Sequence, residues 1–263
     1  MLSFIILYLG LGAIAGLLGG LFGLGGGLVI VPALYLILPI QGIPPEQVMQ
    51  VAIGTSLATI LFTSIASLRA HHKRGAVLWP LARAMAPGIA TGALAGALLA
   101  DKLSAGALRV FFGVFELLIA LQMGLSLLPH GVRPLPGRVG LAGIGAVIGI
   151  VSSLIGIGGG TLTVPFLHVC QVNMRQAVAT SAACGLPIAL AGSLGFIIMG
   201  WNNMPPMKWS LGYIYLPAMT GIAIASILFA PLGAAWAHRL PLLQLRRWFA
   251  ALLALIAIKM LVG

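Results

Sequence analysis

Residues 23–32 of the chain read GLGGGLVIVP, and residues 156–165 read GIGGGTLTVP. Six of the ten positions are identical: Gly23, Gly25, Gly26, Gly27, Val31 and Pro32 recur as Gly156, Gly158, Gly159, Gly160, Val164 and Pro165. The likeness extends outward from both copies. Ala52-Ile-Gly-Thr55-Ser56 answers Ala177-Val-Ala-Thr180-Ser181, Pro87 answers Pro217, and Arg109-Val-Phe-Phe answers Arg246-Arg-Trp-Phe. A self-match spread over most of each half marks an internal duplication.

Both copies are embedded in apolar sequence. Of 263 residues, 60% are hydrophobic and 6% charged, and the mean hydropathy is +1.14. Soluble domains carry roughly 25% charged residues, so most of this surface must face lipid. A backbone in lipid has to satisfy its own polar groups, which leaves helices or closed barrels. The apolar runs are continuous rather than alternating, which selects helices. The expected fold is therefore an all-α polytopic membrane protein built from two repeats of five apolar segments. They fall near 2–22, 27–40, 47–69, 78–100 and 107–128, then near 139–156, 160–171, 174–198, 212–236 and 243–262. The domains are then 1–129, a linker at 130–138 rich in Pro, Gly and charge, and 139–263. The N-terminal run has no basic leader and carries part of the repeat, so a retained first helix is expected there.

An odd number of segments per repeat inverts the second half, and charge placement tests this independently. With loop 69–75 inside, Arg69, Lys73, Arg74, Arg83, Arg133, Arg138, Arg175, Arg239, Arg246 and Arg247 fall inside. Lys102, Arg109, Lys208 and Lys259 fall outside, as do both termini. The net charge of +11 is dispersed between apolar segments, which reads as a topology signal and argues against a nucleic-acid partner. The two cysteines, Cys170 and Cys184, have neither metal-ligand spacing nor a disulfide pattern.

Gly25, Gly26 and Gly27, and Gly158, Gly159 and Gly160, stand where one helix breaks and a short one begins. Segments 2 and 7 are short, about 13 residues each, and read either as half-helices or re-entrant segments or as full spans. Small residues there serve close helix packing. They would also let an anion approach unpaired N–H groups at a positive helix end near mid-membrane. Paired breaks in inverted halves are the sequence mark of a transporter site. Thr55 and Ser56, with Thr180 and Ser181, lie part-way along the following segments. Their hydroxyls either bond back within their own helices or donate to an oxyanion. Segment 3 is expected to start at Pro44-Pro45 with Glu46 in its first turn, and segment 8 at Asn173 with Gln176 three residues on.

These elements, the paired G-Φ-G-G-G-x-Φ-x-V-P stretches with the A-x-x-T-S stretches after them, resemble the TauE/SafE family of sulfite and organosulfonate exporters. The resemblance covers nearly the whole chain. It implies a permease for a small sulfur-containing anion in the bacterial cytoplasmic (inner) membrane. It also implies site roles for the glycines, for Thr161 and for the Thr-Ser pairs. Uptake or channel-like passage of a related anion such as thiosulfate or sulfate is the alternative.

Two ionisable residues stand apart from the loops. Arg83, about one turn into segment 4, reads as a snorkelling side chain or an entry gate for anions. Glu116 is the sole acid within a span, and Leu253 occupies the equivalent place in the second repeat. It is either a neutral group at a helix contact or a coupling residue. An enzyme is not expected: the chain has three acids, no Gly-x-Gly-Asp pair and no serine nucleophile with a recognisable partner. A metal permease would want acidic, His or Cys clusters within the spans. No cofactor or metal is expected, the partners are the bilayer and a small anion, and a homodimer is compatible with the size.

Overall fold

A computed structural model of the chain describes residues 2–22, 26–125, 134–203, 208–237 and 242–262. Gly23, Gly25 and residues 130–133 of the linker lie outside the described residues, as does Arg239. Ten helices follow in order among those described: α1 (Leu2–Phe22), α2 (Gly27–Ile37), α3 (Val48–Lys73), α4 (Trp79–Lys102), α5 (Ala105–Gly124), α6 (Arg138–Ile155), α7 (Gly160–Val169), α8 (Met174–Asn203), α9 (Leu216–Ala237) and α10 (Leu242–Val262). A 3₁₀ turn at Leu38–Gln41 extends α2, and β1 (Ser210–Leu211) pairs antiparallel with β2 (Ile214–Tyr215) ahead of α9. Seven of the helices are long and apolar enough to cross a membrane.

The contacts fix which helix ends lie together. Gln50 donates to the carbonyl of Leu103 at 3.0 Å, Gln47 to that of Asn203 at 2.8 Å, and Tyr213 to Asp101 at 2.8 Å. One end of the molecule therefore gathers the starts of α3, α5 and α9 with the ends of α4 and α8. Gln41 bonds to Tyr8, so α2 returns to the end where α1 began. At the opposite end Leu78 N–H bonds to Thr180, and Leu167 and Val172 of the α7–α8 turn pack with Leu78 and Leu81. There α7 returns to the end where α6 began. Each short helix thus turns back toward the end from which the preceding helix came, and the two do so from opposite ends.

Glycine sets the closest packing. An added Cβ at Gly92 would strike the carbonyl of Ala146, and one at Gly149 that of Ile89, so α4 and α6 touch backbone to backbone. Gly12 and Gly16 of α1 meet Ile222 and Ser226 of α9 in the same parallel sense. Small-residue stripes of this kind let helices approach where apolar burial alone gives no drive in lipid. α3 lies antiparallel against α8, with Gly54 at Phe196 and Ser64 at Gly185, and α5 against α10, with Gly113 at Ala257 and Gly124 at Ala250. Each of α1 to α5 thus runs opposite in sense to the helix five places later.

Arg69, Lys73, Arg74, Arg83, Arg138, Arg175 and Arg247 sit at one end, and Lys102, Arg109, Lys208 and Lys259 at the other.

Four expectations are corrected. α3 starts at Val48, with no acid in its first turn, because Pro44, Pro45 and Glu46 form the preceding turn. It also continues to Lys73, so the stretch expected to be a loop from residue 69 is largely helix. The segment expected from 212 begins at Leu216, because the hairpin occupies residues 210–215. Finally, Thr55 bonds Tyr215 N–H and Thr180 bonds Leu78 N–H, each just before a helix. That register aligns Pro217 with Pro80, both at the first helical positions, and not with Pro87, which is inside α4.

Candidate functional site

The two helix breaks meet in the interior. A Cβ at Gly27, the first residue of α2, would come within 2.5 Å of the carbonyl oxygen of Gly156 and 2.9 Å of Ile157 Cα. Ser56 of α3 donates to that same Gly156 oxygen at 2.7 Å. Gly156 closes α6 with φ 74°, a left-handed conformation that glycine adopts without strain. Its Cα faces Val31 of α2 and the backbone of Ile53 of α3. Three elements therefore converge on Gly156: the start of α2, the end of α6, and α3 through both Ser56 and Ile53.

The two short helices begin differently. α2 opens with N–H bonds from Val29 and Ile30 to the Gly26 carbonyl, both 3.1 Å, with Gly26 at φ 75°. Its first turn carries Leu28 and Ile30, both buried. α7 opens with the Thr163 N–H bond to the Gly159 carbonyl at 2.8 Å. The N–H groups of Gly160, Thr161 and Leu162 precede that bond and have no acceptor inside the helix. Thr161 and Thr163 stand where α2 has Leu28 and Ile30, are 3% and 0% exposed, and their hydroxyls have no partner. Gly159 lies beneath: a Cβ there would be 3.3 Å from Thr163 Oγ1 and 2.9 Å from Ile188 Cδ1. Both starts leave N–H groups without intrahelical acceptors, and they differ in side chains: hydrocarbon lines one and unpartnered hydroxyls the other.

The remaining hydroxyls expected from the sequence are already engaged. Thr55 Oγ1 accepts from Tyr215 N–H at 2.9 Å, and Thr180 Oγ1 from Leu78 N–H at 3.0 Å. Each ties its helix to the residue just before another, Thr55 to the start of α9 and Thr180 to the start of α4. Ser181 donates back to the Val178 carbonyl at 2.8 Å. The structure brings together Gly27, Ser56 and Gly156, and Gly159, Gly160, Thr161 and Thr163, with Gly158 in the connecting turn. Gly25 lies outside the described residues. Arg83 is exposed, its guanidinium 5.8 Å from the Trp79 ring, as an interfacial side chain would be. Glu116 is fully buried on α5, both carboxyl oxygens without a partner.

Sequence reasoning missed Thr163, and Ser152, Ser153 and Ser193, three further buried hydroxyls without partners. It also missed a polar cluster at the end that holds the start of α3. There Asp101 accepts from Tyr213 at 2.8 Å and from Asn203 at 3.0 Å. Burial, and then the bond to Asp101, push the Tyr213 hydroxyl up from its ordinary value.

Comparison with known proteins agrees over the whole chain. Residues 8–260 match the family described as "Sulfite exporter TauE/SafE". A "Probable membrane transporter protein" of Haemophilus influenzae is 41% identical over 265 residues, covering 99% of both chains. The "Probable membrane transporter protein YunE" of Bacillus subtilis is 33% identical, covering 77% of this chain and 81% of its own. A further "Probable membrane transporter protein", from Methanocaldococcus jannaschii, is 28% identical over 95% of this chain. No solved structure matches the chain.

Proposed function

Because the chain belongs to the sulfite exporter TauE/SafE family and is a membrane transporter, we propose that its cargo is a small sulfur-containing oxyanion such as sulfite or an organosulfonate. The cargo crosses the bacterial cytoplasmic membrane outward, by alternating access between two inverted halves. Loop 69–75 is cytoplasmic in this reading, and both termini are outside.

The single observation that carries it is the start of α7. Three N–H groups without intrahelical acceptors and two buried, unpartnered threonine hydroxyls, at Thr161 and Thr163, stand at a positive helix end. Buried polar groups are nearly always paired in proteins, so unmet donors at one helix start suit a ligand that supplies acceptors. A sulfur oxyanion offers several oxygens and a negative charge, which both the donors and the helix dipole favour. Gly158, Gly159 and Gly160 keep side chains out of the anion's approach. Gly26, Gly27, Thr55, Ser56, Thr180 and Ser181 form the surrounding frame in this reading. The opposed senses of paired helices support the inverted halves.

The test is flux in proteoliposomes of sulfite, sulfoacetate, thiosulfate and sulfate, with and without a membrane potential. Saturable flux of sulfite or sulfoacetate that Thr163→Val weakens supports the reading. Sulfate or thiosulfate moving alone would reassign the cargo. If folded protein moves none of the four, the anion reading falls.

A further inference from the structure

Glu116 is the one acid buried within a described span, at 0% exposed, and neither carboxyl oxygen has a hydrogen-bond partner. It belongs to the inward stripe of α5, with Leu108, Phe112, Gly113, Ile119 and Ala120. Gly113 of that stripe contacts Ala257 and Leu261 of α10, and α5 also packs on α3 and α6, the helices that meet through Ser56 and Gly156.

An ionised carboxylate in such a place, with nothing to pair it, is strongly disfavoured. Among the described residues no charge faces it to relieve that cost. On α10, Arg247 and Lys259 are exposed; on α3 the basic residues Arg69, His71, His72 and Lys73 lie in its last turns; on α6, Arg138 is exposed at the first residue. On α5 itself Arg109 is two turns away, about 10 Å along the axis. Even protonated, the carboxyl leaves a donor and an acceptor unmet, which a leucine of similar bulk would not. The second repeat has that leucine: Leu253 aligns with Glu116 and is equally buried. The fold accepts leucine at this place once and carries an unpartnered acid the other time, and a buried intramembrane acid of that kind marks function.

We propose that Glu116 is a proton-binding site coupled to the anion, so that one proton crosses with each turnover. This rests on the transport reading above. The bookkeeping is simple: Glu116 carboxylate takes a proton from the water on one side, and the acid releases it to the water on the other. The sign of coupling follows from electrostatics. An anion at the start of α7 favours the neutral acid and is favoured by it, so anion and proton move in the same direction, and outward passage is driven by the anion's own concentration gradient against the inward pull of the proton.

The experiment uses sulfite-loaded and empty proteoliposomes under an imposed pH gradient. The wild type accumulates the anion in the alkaline compartment. Glu116→Gln, which keeps the shape and is always neutral, lowers gradient-driven accumulation about tenfold, within the range of ordinary coupling energies. Accumulation by Glu116→Gln equal to the wild type, no response to pH, or accumulation on the acidic side would each overturn the proposal. An infrared measurement needs no cargo. The carbonyl band of a protonated carboxyl at neutral pH should be present in the reconstituted wild type and lost in both Glu116→Gln and Glu116→Leu. Its absence from the wild type, or its persistence in both variants, refutes proton binding at Glu116. A wild type that shows the band but moves none of the anions would sink the transport reading instead.

Discussion

Thr163→Val should have opposite effects on stability and on transport. The two side chains are nearly isosteric, so the change deletes one hydroxyl and adds one methyl at a site that is 0% exposed. In the ligand-free protein that hydroxyl has no partner. A buried unmet polar group costs about 1–3 kcal/mol, so the valine protein should unfold at a higher temperature than the wild type. With anion present, the hydroxyl would donate to a charged acceptor, a bond worth about 1.5–3 kcal/mol. Its loss should weaken apparent affinity by about 10–150-fold, at 1.4 kcal/mol per factor of ten. The assay pairs thermal unfolding in detergent, with and without sulfite, with concentration-dependent flux in liposomes. The wild type should be the less stable protein without anion and the more strongly stabilised one with it. Thr59→Val is the control, because Thr59 bonds only the Thr55 carbonyl one turn back, at 2.9 Å; it should leave affinity alone. A Thr163→Val protein that is less stable without anion, or that transports with unchanged affinity, refutes the reasoning.

The glycines should separate by backbone. Gly156→Ala, at φ 74° and with a Cβ 3.0 Å from Ile53 Cα, should cost roughly 1–2 kcal/mol in backbone strain alone and reduce folded yield in detergent. Gly159→Ala, at φ −59°, needs only small shifts of the Ile188 and Thr163 side chains, so it should elute from size exclusion as folded protein yet lose flux. Thr180→Val strands the Leu78 N–H and should lower the unfolding midpoint by about 1–3 kcal/mol of stability, and Thr55→Val should do the same through Tyr215. Tyr213→Phe removes the phenol that bonds Asp101, and hydrogen exchange across residues 208–216 should quicken while the helices stay protected. For sidedness, Arg74→Cys should react with an impermeant thiol reagent in inverted vesicles and not in intact cells, the native Cys170 and Cys184 being buried.

Most of the helical framework was legible in the sequence because lipid leaves so few options. Long apolar runs, two glycine breaks and dispersed basic residues suffice to number the segments, and most boundaries fall within a few residues of the structure. What escaped has local causes. The hairpin at 210–215 is two residues per strand, too short for any periodicity. The mispairing of Pro217 with Pro87 came from matching prolines without a register, which only the Thr55 and Thr180 bonds supply. At the site, the glycine pattern located the breaks and could not say that they differ. The usable signal lay in the departures between the copies. Thr163 stands for Ile30, Thr161 for Leu28 and Glu116 for Leu253, and each puts a polar group where its counterpart buries hydrocarbon. The likeness between the repeats reports the scaffold, and their disagreements mark the chemistry.

The glycine contacts also limit how such a molecule can move. α1 is pressed backbone to backbone on α9, and α4 on α6, so each weld joins a helix of the first repeat to one of the second. Sliding either pair apart would open a void along the whole contact, with no side chains to fill it. Alternating access at the interface of the repeats should therefore leave these two mixed pairs intact, each moving as one body. The looser seams run where side chains interdigitate, between α3 and α8 and between α5 and α10. A chain cut in the 130–138 linker should accordingly yield two fragments that are helpless alone and functional only when they thread back together.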